Sequence, residues 1–316
     1  MKKYLIELFF FFIIPLVVIA VVAEYSVRKI PNDYAYKNTW LSNHSQEIEA
    51  LYLGPSTVAY DIDPTISKIN GFNAAHVSQP IKYDHFIFNK FFDQMKSLKY
   101  VIIGIDYWSP TGNMETTTEW WRIKYYTIYY NSPHHEGKSR YKYELYFHNT
   151  ETLGIAIRGF FRFLGLSKIS HLTVNERGYG TNYNTQKKVV EWDNGITEAE
   201  RHNIMISESK ENENPYNTNM DYIRDICKKC QERDVKVILL GAPIYKSYVN
   251  TIKKEYIEER DEFCNNIANS FDNTIYINMT QSDLFTESDF FDANHLNEIG
   301  TRKFTEILDQ AILSIE

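Results

Sequence analysis

Six consecutive residues, Tyr100-Val101-Ile102-Ile103-Gly104-Ile105, constrain this chain more than any other stretch. A continuous β-branched run without polar alternation suits a strand buried on both faces, and such strands belong to parallel sheets covered by helices. The surroundings agree. Ile48 to Leu53 is another short apolar run, closed by Gly54-Pro55, and Gly71-Phe72-Asn73-Ala74-Ala75 is a third. Between the runs, Asp61, Asp63 and Pro64 signal a turn and a short helix to about Ile69. Lys82 to Lys96 carries Phe86, Ile87, Phe91 and Met95 at helical spacing. Strand, helix, strand, helix, strand at these intervals is the βαβ pattern of an open parallel sheet.

From Ser109 to about Pro215 that pattern stops. Phrases such as Trp120-Trp121-Arg122 and Tyr125-Tyr126-Thr127-Ile128-Tyr129-Tyr130 are too apolar for disorder. The segment 109–217 is therefore expected to be a mostly helical insertion packed over the active edge of the sheet. The α/β pattern resumes with a helix at Asn219 to Arg233 and a strand at Val235 to Leu240, ended by Gly241-Ala242-Pro243. A helix at Asn250 to Asn269, a strand at Thr274 to Asn278 and a last amphipathic helix at Leu296 to Ile315 complete it.

Lys2 and Lys3 precede an apolar run from Tyr4 to Ala23, interrupted only by Glu7. About 20 residues cross a bilayer, so the run reads as an uncleaved membrane anchor. A cleaved signal peptide is the alternative, with Val21-Val22-Ala23 as a small-residue cleavage site. The lysine pair places the N-terminus in the cytoplasm and the rest of the chain outside the inner membrane, with Arg28 and Lys29 weakening that bias. The expected organisation is an anchor at 1–25, a polar linker at 26–47 and one domain at 48–316.

The net charge of −7 and the lack of a basic block argue against nucleic acid as a partner. The 24 tyrosines suit sugar contacts as well as ordinary amphipathic packing. Cys227 and Cys230 form a Cys-x-x-Cys inside an expected helix, without the strand-turn context of a redox motif. With Cys264 they read as plain helix-face residues, and no metal or cofactor is expected. His134-His135 has no carboxylate pair at ligand spacing, and His76 reads as a wall residue rather than a base.

Chemistry concentrates at strand ends. Ser56 follows the Gly54-Pro55 turn, at the carboxyl edge where open α/β sheets bind ligands. About 240 residues further on, Asp292-Ala293-Asn294-His295 precedes the last helix. Serine is a weak nucleophile near neutral pH and needs a base within hydrogen-bond reach; histidine supplies it, and an acid orients the imidazole. Each part alone has a plainer reading as a helix cap. Ser56, Asp292 and His295 in this order, with the Asn73 loop between them, point to an acyl-transfer triad.

These blocks make the chain resemble the SGNH/GDSL hydrolases, in particular a membrane-anchored branch found beside bacterial cell-surface polysaccharide acylation systems. The resemblance covers Ile48 to Tyr107 and Asn219 onward, leaving the middle segment unexplained. It implies a three-layer α/β/α, flavodoxin-like sheet with Ser56 as nucleophile and Asp292 and His295 as its partners. The family's second block falls on Asn73-Ala74-Ala75-His76-Val77-Ser78, so Ser78 stands where its oxyanion-hole glycine is expected, with Asn73 as a further donor. Its Gly-x-Asn block reads Gly104-Ile105-Asp106 here, and an ionised Asp106 would repel an oxyanion. The implied activity is O-acetyl transfer to, or acetyl-ester hydrolysis from, polysaccharide hydroxyls, with a membrane protein as acyl donor. A non-catalytic polysaccharide-binding or assembly module on a decayed fold of this type is the alternative that Asp106 favours.

Overall fold

The computed structural model of the chain describes residues 2–133, 138, 141–146, 150–187, 195–212 and 214–315. His134 and His135, read above as lacking a carboxylate pair at ligand spacing, lie outside them. In chain order the first elements are helices α1 (Lys2–Arg28) and α2 (Asp33–His44), strand β1 (Ala50–Leu53), α3 (Ser56–Ala59), β2 (Gly71–Asn73), α4 (Ile81–Phe91) and β3 (Tyr100–Gly104). Helices α5 (Ile123–Tyr130), α6 (Thr150–Phe163), α7 (Ile196–Asn212) and α8 (Tyr216–Gln231) follow. Then come β4 (Lys236–Gly241), α9 (Lys246–Thr251), α10 (Lys254–Ala268) and β5 (Thr274–Asn278). The chain ends in β6 (Phe290–Asp292), β7 (His295–Leu296) and α11 (Glu298–Leu313).

The chain divides into two compact units: Met1–Asn38 with Trp121–Leu172, and Thr39–Trp120 with Thr173–Glu316. The second unit holds the sheet, in the order β2-β1-β3-β4-β5, every pairing parallel. Registers such as Leu53 opposite Ile103 and Gly104 opposite Leu240 align the carboxyl ends of the three central strands. This is the α/β fold that the strand pattern predicts. One alternation of strand side chains, Tyr52, Ile102, Ile238 and Leu240, packs with Phe304, Leu308 and Ile312 of α11. The other, Leu51, Leu53, Val101, Ile103 and Leu239, is equally buried, and α8 and α10 contact β4 and β5. Helices therefore cover both faces, which is what lets uninterrupted apolar strands exist.

In the first unit α1 is the long apolar element. Residues Ile6–Arg28 of it are long and apolar enough to cross a membrane; Ile6–Val22 are exposed, and Ser26 and Val27 near its end are buried. The region 109–217 is split: Trp121–Leu172 belongs with the N-terminal residues, and its two flanks belong with the sheet.

Three expectations need correction. The stretch 26–47 is not a polar linker, because α2 occupies Asp33–His44. Tyr34, Lys37 and Leu41, at i, i+3 and i+7, are buried, and Asn32 caps the helix through its Oδ1, which accepts from the Ala35 N–H at 3.0 Å. No helix forms between Pro64 and Ile69. Side chains take the backbone's partners there: the Thr65 N–H donates to Asp63 Oδ1, and the Lys68 N–H to Asp309 Oδ2 at 2.6 Å. The helix expected at 250–269 is two, α9 and α10, because Ile252 turns to extended backbone and is buried among Tyr248, Val249 and Tyr256.

Candidate active site

Ser56 opens α3 directly beyond β1. The turn that delivers it requires glycine. Gly54 has φ 131°, and a Cβ there would lie 2.9 Å from the Gly104 backbone nitrogen on the neighbouring strand. Gly104 in turn faces Val58, whose Cγ2 would sit 2.3 Å from an added Cβ. The ends of β1 and β3 can thus close on each other beneath Ser56, at the point where the strand order reverses.

His295 comes from the opposite end of the chain. Phe290–Asp292 and His295–Leu296 pair as a short antiparallel hairpin, with Asp292 opposite His295. Asn297 fixes its exit: the side chain accepts from the N–H groups of Ile299 and Gly300 and donates to the carbonyls of Ser288 and Phe290. Behind the hairpin, the Leu296 N–H donates to the carboxyl of Asp61 at 2.9 Å. These contacts place His295 Nε2 at 2.8 Å from Ser56 Oγ and Nδ1 at 2.9 Å from Asp292 Oδ1. The three residues picked out in the sequence form one hydrogen-bonded line, inside the 2.6–3.2 Å window a proton transfer needs. The ring is flanked edge-on by Tyr60 and Tyr183, whose own rings stack at 4.0 Å.

Charge around the imidazole is concentrated. Burial works against ionisation of His295, but Asp292, by charge and hydrogen bond, then Asp61 and Asp106, outweigh it and push the pKa up to about 9. Burial likewise opposes ionisation of Asp292, but the His295 charge and hydrogen bonds hold its carboxyl below the usual range. Asp61 and Asp106 are both buried, and burial pushes both carboxyls up. One oxygen of Asp61 has no hydrogen-bond partner among the described residues. The two buried carboxyls therefore compete with the imidazole for protons.

The other expected residues divide. Ser78 lines the cleft with Ser56, in left-handed backbone at φ 56°. That conformation favours glycine, the residue the resemblance implies at this position. Asp106 also lines the cleft, but its carboxyl accepts from Thr57 Oγ1 at 2.9 Å, one residue past the serine. Asn73 is not part of the site. Its amide donates to the carbonyls of Val58 and Ile62 at 2.8 and 2.9 Å, and its oxygen accepts from the Ala75 N–H. All its capacity goes to holding the chain behind α3, so as an oxyanion donor it is withdrawn. His76 is buried, its backbone N–H donating to the Gly54 carbonyl. The three cysteines are free and buried, with burial pushing the Cys227 thiol up to about 11.

The cleft beside Ser56 has a volume of about 110 Å³, and both flanks of the 109–217 region border it, through residues such as Thr111, Met114, His202 and Ile206. Sequence reasoning missed its polar end. His202 Nδ1 hydrogen-bonds the Tyr107 hydroxyl at 2.9 Å and also the Tyr248 hydroxyl, and its Nε2 lies 3.1 Å from Glu198. Hydrogen bonds from His202 and Arg201 pull the Glu198 carboxyl well below its usual range. The available signal was Glu198-x-x-x-His202, one helical turn apart on α7. Asn294 is the other omission: it lines the same cleft, and its buried side-chain oxygen has no partner among the described residues.

A protein-family model carrying no functional description matches residues 184–315, less than half of the chain. No curated protein is significantly similar to the chain in sequence. Among solved structures, a chain from Streptococcus pneumonia named for platelet activating factor superposes with a TM-score of 0.42 at 10% identity, covering 87% of this chain and 90% of that one. A likeness at that level carries no functional argument.

Proposed function

We propose that this chain is an SGNH-type serine acyl-transfer enzyme, held by α1 in the inner membrane with the sheet-bearing unit outside the cytoplasm. It moves acyl groups, acetyl in the simplest case, onto or off sugar hydroxyls of an exported or cell-surface polysaccharide. The observation that carries the reading is the Ser56–His295–Asp292 line at the strand-order reversal. Its chemistry follows from the atoms. His295 Nε2 takes the Ser56 proton as Oγ bonds to the acyl carbon, and the carbonyl oxygen becomes an oxyanion facing backbone N–H donors at Ser56 and Ser78. When the bond to the leaving oxygen breaks, His295 returns the proton to that oxygen, leaving acyl-Ser56. A sugar hydroxyl gives transfer and water gives hydrolysis, each deprotonated by the same imidazole as it attacks. Asp292 holds Nδ1 and balances the imidazolium.

The Tyr107 hydroxyl and His202 imidazole on the wall of the cleft, each bonded to the buried Tyr248 hydroxyl, suit a polyhydroxyl acceptor, and a membrane protein is the natural acyl donor for an anchored transferase. The buried Asp106 carboxyl favours the second reading, a polysaccharide-binding module without catalysis. Reaction with a fluorophosphonate probe separates the two. The wild-type chain is expected to label on Ser56, and Ser56→Ala to lose the label. A folded wild-type chain that stays unlabelled across pH 6 to 10 would leave only the binding module.

A further inference from the structure

Helix α6 presents an apolar surface that the described part of its own unit leaves bare. Ile157, Phe160, Phe161 and Leu164 recur at i, i+3, i+4 and i+7, and are between 39% and 50% exposed. Phe163 follows, and Leu166, in the turn made possible by Gly165 at φ 75°, is 72% exposed. A soluble surface rarely carries so many large apolar side chains together.

The opposite face of α6 packs on α1. Ala156 and Gly159 are buried, and a Cβ on Gly159 would lie 3.1 Å from the Ser26 carbonyl oxygen and 3.3 Å from Ile30 Cδ1. Gly159 therefore lets the two helices touch at the backbone. Four residues on, the Phe163 ring meets Tyr25 at 5.9 Å between centroids. Moving toward the end of α6 thus means moving back along α1, toward its apolar stretch. Arg158 and Arg162 occupy the flank of the helix beside the bare face. Arg162 donates to the Ile169 carbonyl at 2.9 Å, and the His171 N–H donates to Pro31 O at 2.8 Å, so the returning chain is tied to the outer end of α1.

We propose that α6 and the Leu164–Leu166 turn are a second membrane contact, an interfacial helix whose bare face sinks into the leaflet that α1 enters from the folded side. The inference rests on α1 spanning the bilayer. Lipid is the occupant because the face is continuous with the apolar surface of α1 at its outer end, where the leaflet must lie. An apolar face with arginines beside it is also the pattern of helices lying at the headgroup boundary. A bilayer held at both α1 and α6 fixes the rotation of this unit about the membrane normal, which α1 alone leaves free.

Spin labels on single introduced cysteines test it, using the full chain reconstituted in phosphatidylcholine–phosphatidylglycerol vesicles; the three native cysteines are buried. Phe161→Cys and Leu166→Cys are compared with Phe12→Cys on α1 and with the exposed Lys254→Cys. The ratio of oxygen to water-soluble nickel accessibility is expected to rise several-fold over Lys254 at both α6 positions, toward the Phe12 value. Ratios equal to that of Lys254 while Phe12 is immersed would overturn the proposal and leave the anchor standing. Shielding from both reagents would overturn it in favour of a protein contact. A water-accessible Phe12 would remove the anchor itself, and the proposal with it.

Discussion

Replacing Asp106 with asparagine should make the site work at lower pH. Asp106 is one of the carboxyls that raise His295, and an imidazole with a pKa of about 9 is the free base in only about 1% of molecules at pH 7. Only the neutral form can accept the Ser56 proton. Asparagine removes the charge and keeps an oxygen to accept from Thr57 Oγ1, now at 2.9 Å. Each unit by which the His295 pKa falls supplies about tenfold more free base at pH 7. The full effect requires Asp106 to be ionised, and its carboxyl is itself pushed up by burial, so the gain at pH 7 is expected at up to about tenfold. The cost falls on stability. The Trp108 side chain also hydrogen-bonds Asp106, and an asparagine N–H₂ in a buried place without an acceptor costs about 1–3 kcal/mol. The assay is the rate of fluorophosphonate labelling across pH 6 to 10 on wild type and Asp106→Asn, with thermal unfolding alongside. A lower midpoint with an unchanged plateau is the electrostatic result. A higher plateau adds an oxyanion donor, worth roughly 3 kcal/mol in comparable sites. An unmoved midpoint, or loss of labelling in a folded variant, would refute the reasoning and give Asp106 a positive role.

Two further outcomes are expected. His295 has its pKa raised on folding, so its stabilising contribution is complete below about pH 6.5 and is lost as pH rises through about 9; chemical denaturation of His295→Gln should lack the fall in stability that wild type shows across that window. Ser78→Gly relieves a left-handed serine and should raise unfolding stability by about 0.5–1 kcal/mol without moving the labelling midpoint, whereas a loss of stability would mean the Ser78 side chain is structurally required.

The sheet was legible because parallel strands buried on both faces must be continuously apolar, and β3 and β4 lie where such runs occur. What was not legible depended on partners far away in sequence. Residues 64–69 read as a helix by local signals, yet the Ser67 hydroxyl and the Lys68 N–H donate to Asp309 some 240 residues on. Helix α2 looks like a linker because its buried face includes a tyrosine and a lysine, and Lys37 is fully enclosed. Burial pulls that lysine down to about 7, a cost no composition-based reading would assign to a helix interface. The hairpin of β6 and β7 is short enough to carry no periodicity at all, although it decides where Asp292 and His295 point.

For the site, the same contrast separates residues that act from residues that hold. Ser56 could be read because it stands just past a recognisable strand, and Asp292 and His295 because they stand just before a recognisable helix, and reactive groups must be presented at such edges. Asn73 stands at an equally good edge, at the end of β2, but its amide turns back to Val58 and Ile62 and is used up there. Asp61 is the converse. In sequence it is one acidic residue in a turn, while in the fold it is buried behind the hairpin, bonded to the Leu296 N–H and pressing its charge on His295. Position relative to strand ends thus identifies candidates, and hydrogen-bond accounting decides among them. A side chain whose donors and acceptors are all consumed has nothing left for a substrate. Glu198 and His202 show how far the rule reaches: one turn apart on α7 they pass for an ordinary surface pair, and only Tyr107, just past β3, and Tyr248, on α9, hold His202 in the wall that an acceptor beside Ser56 would meet.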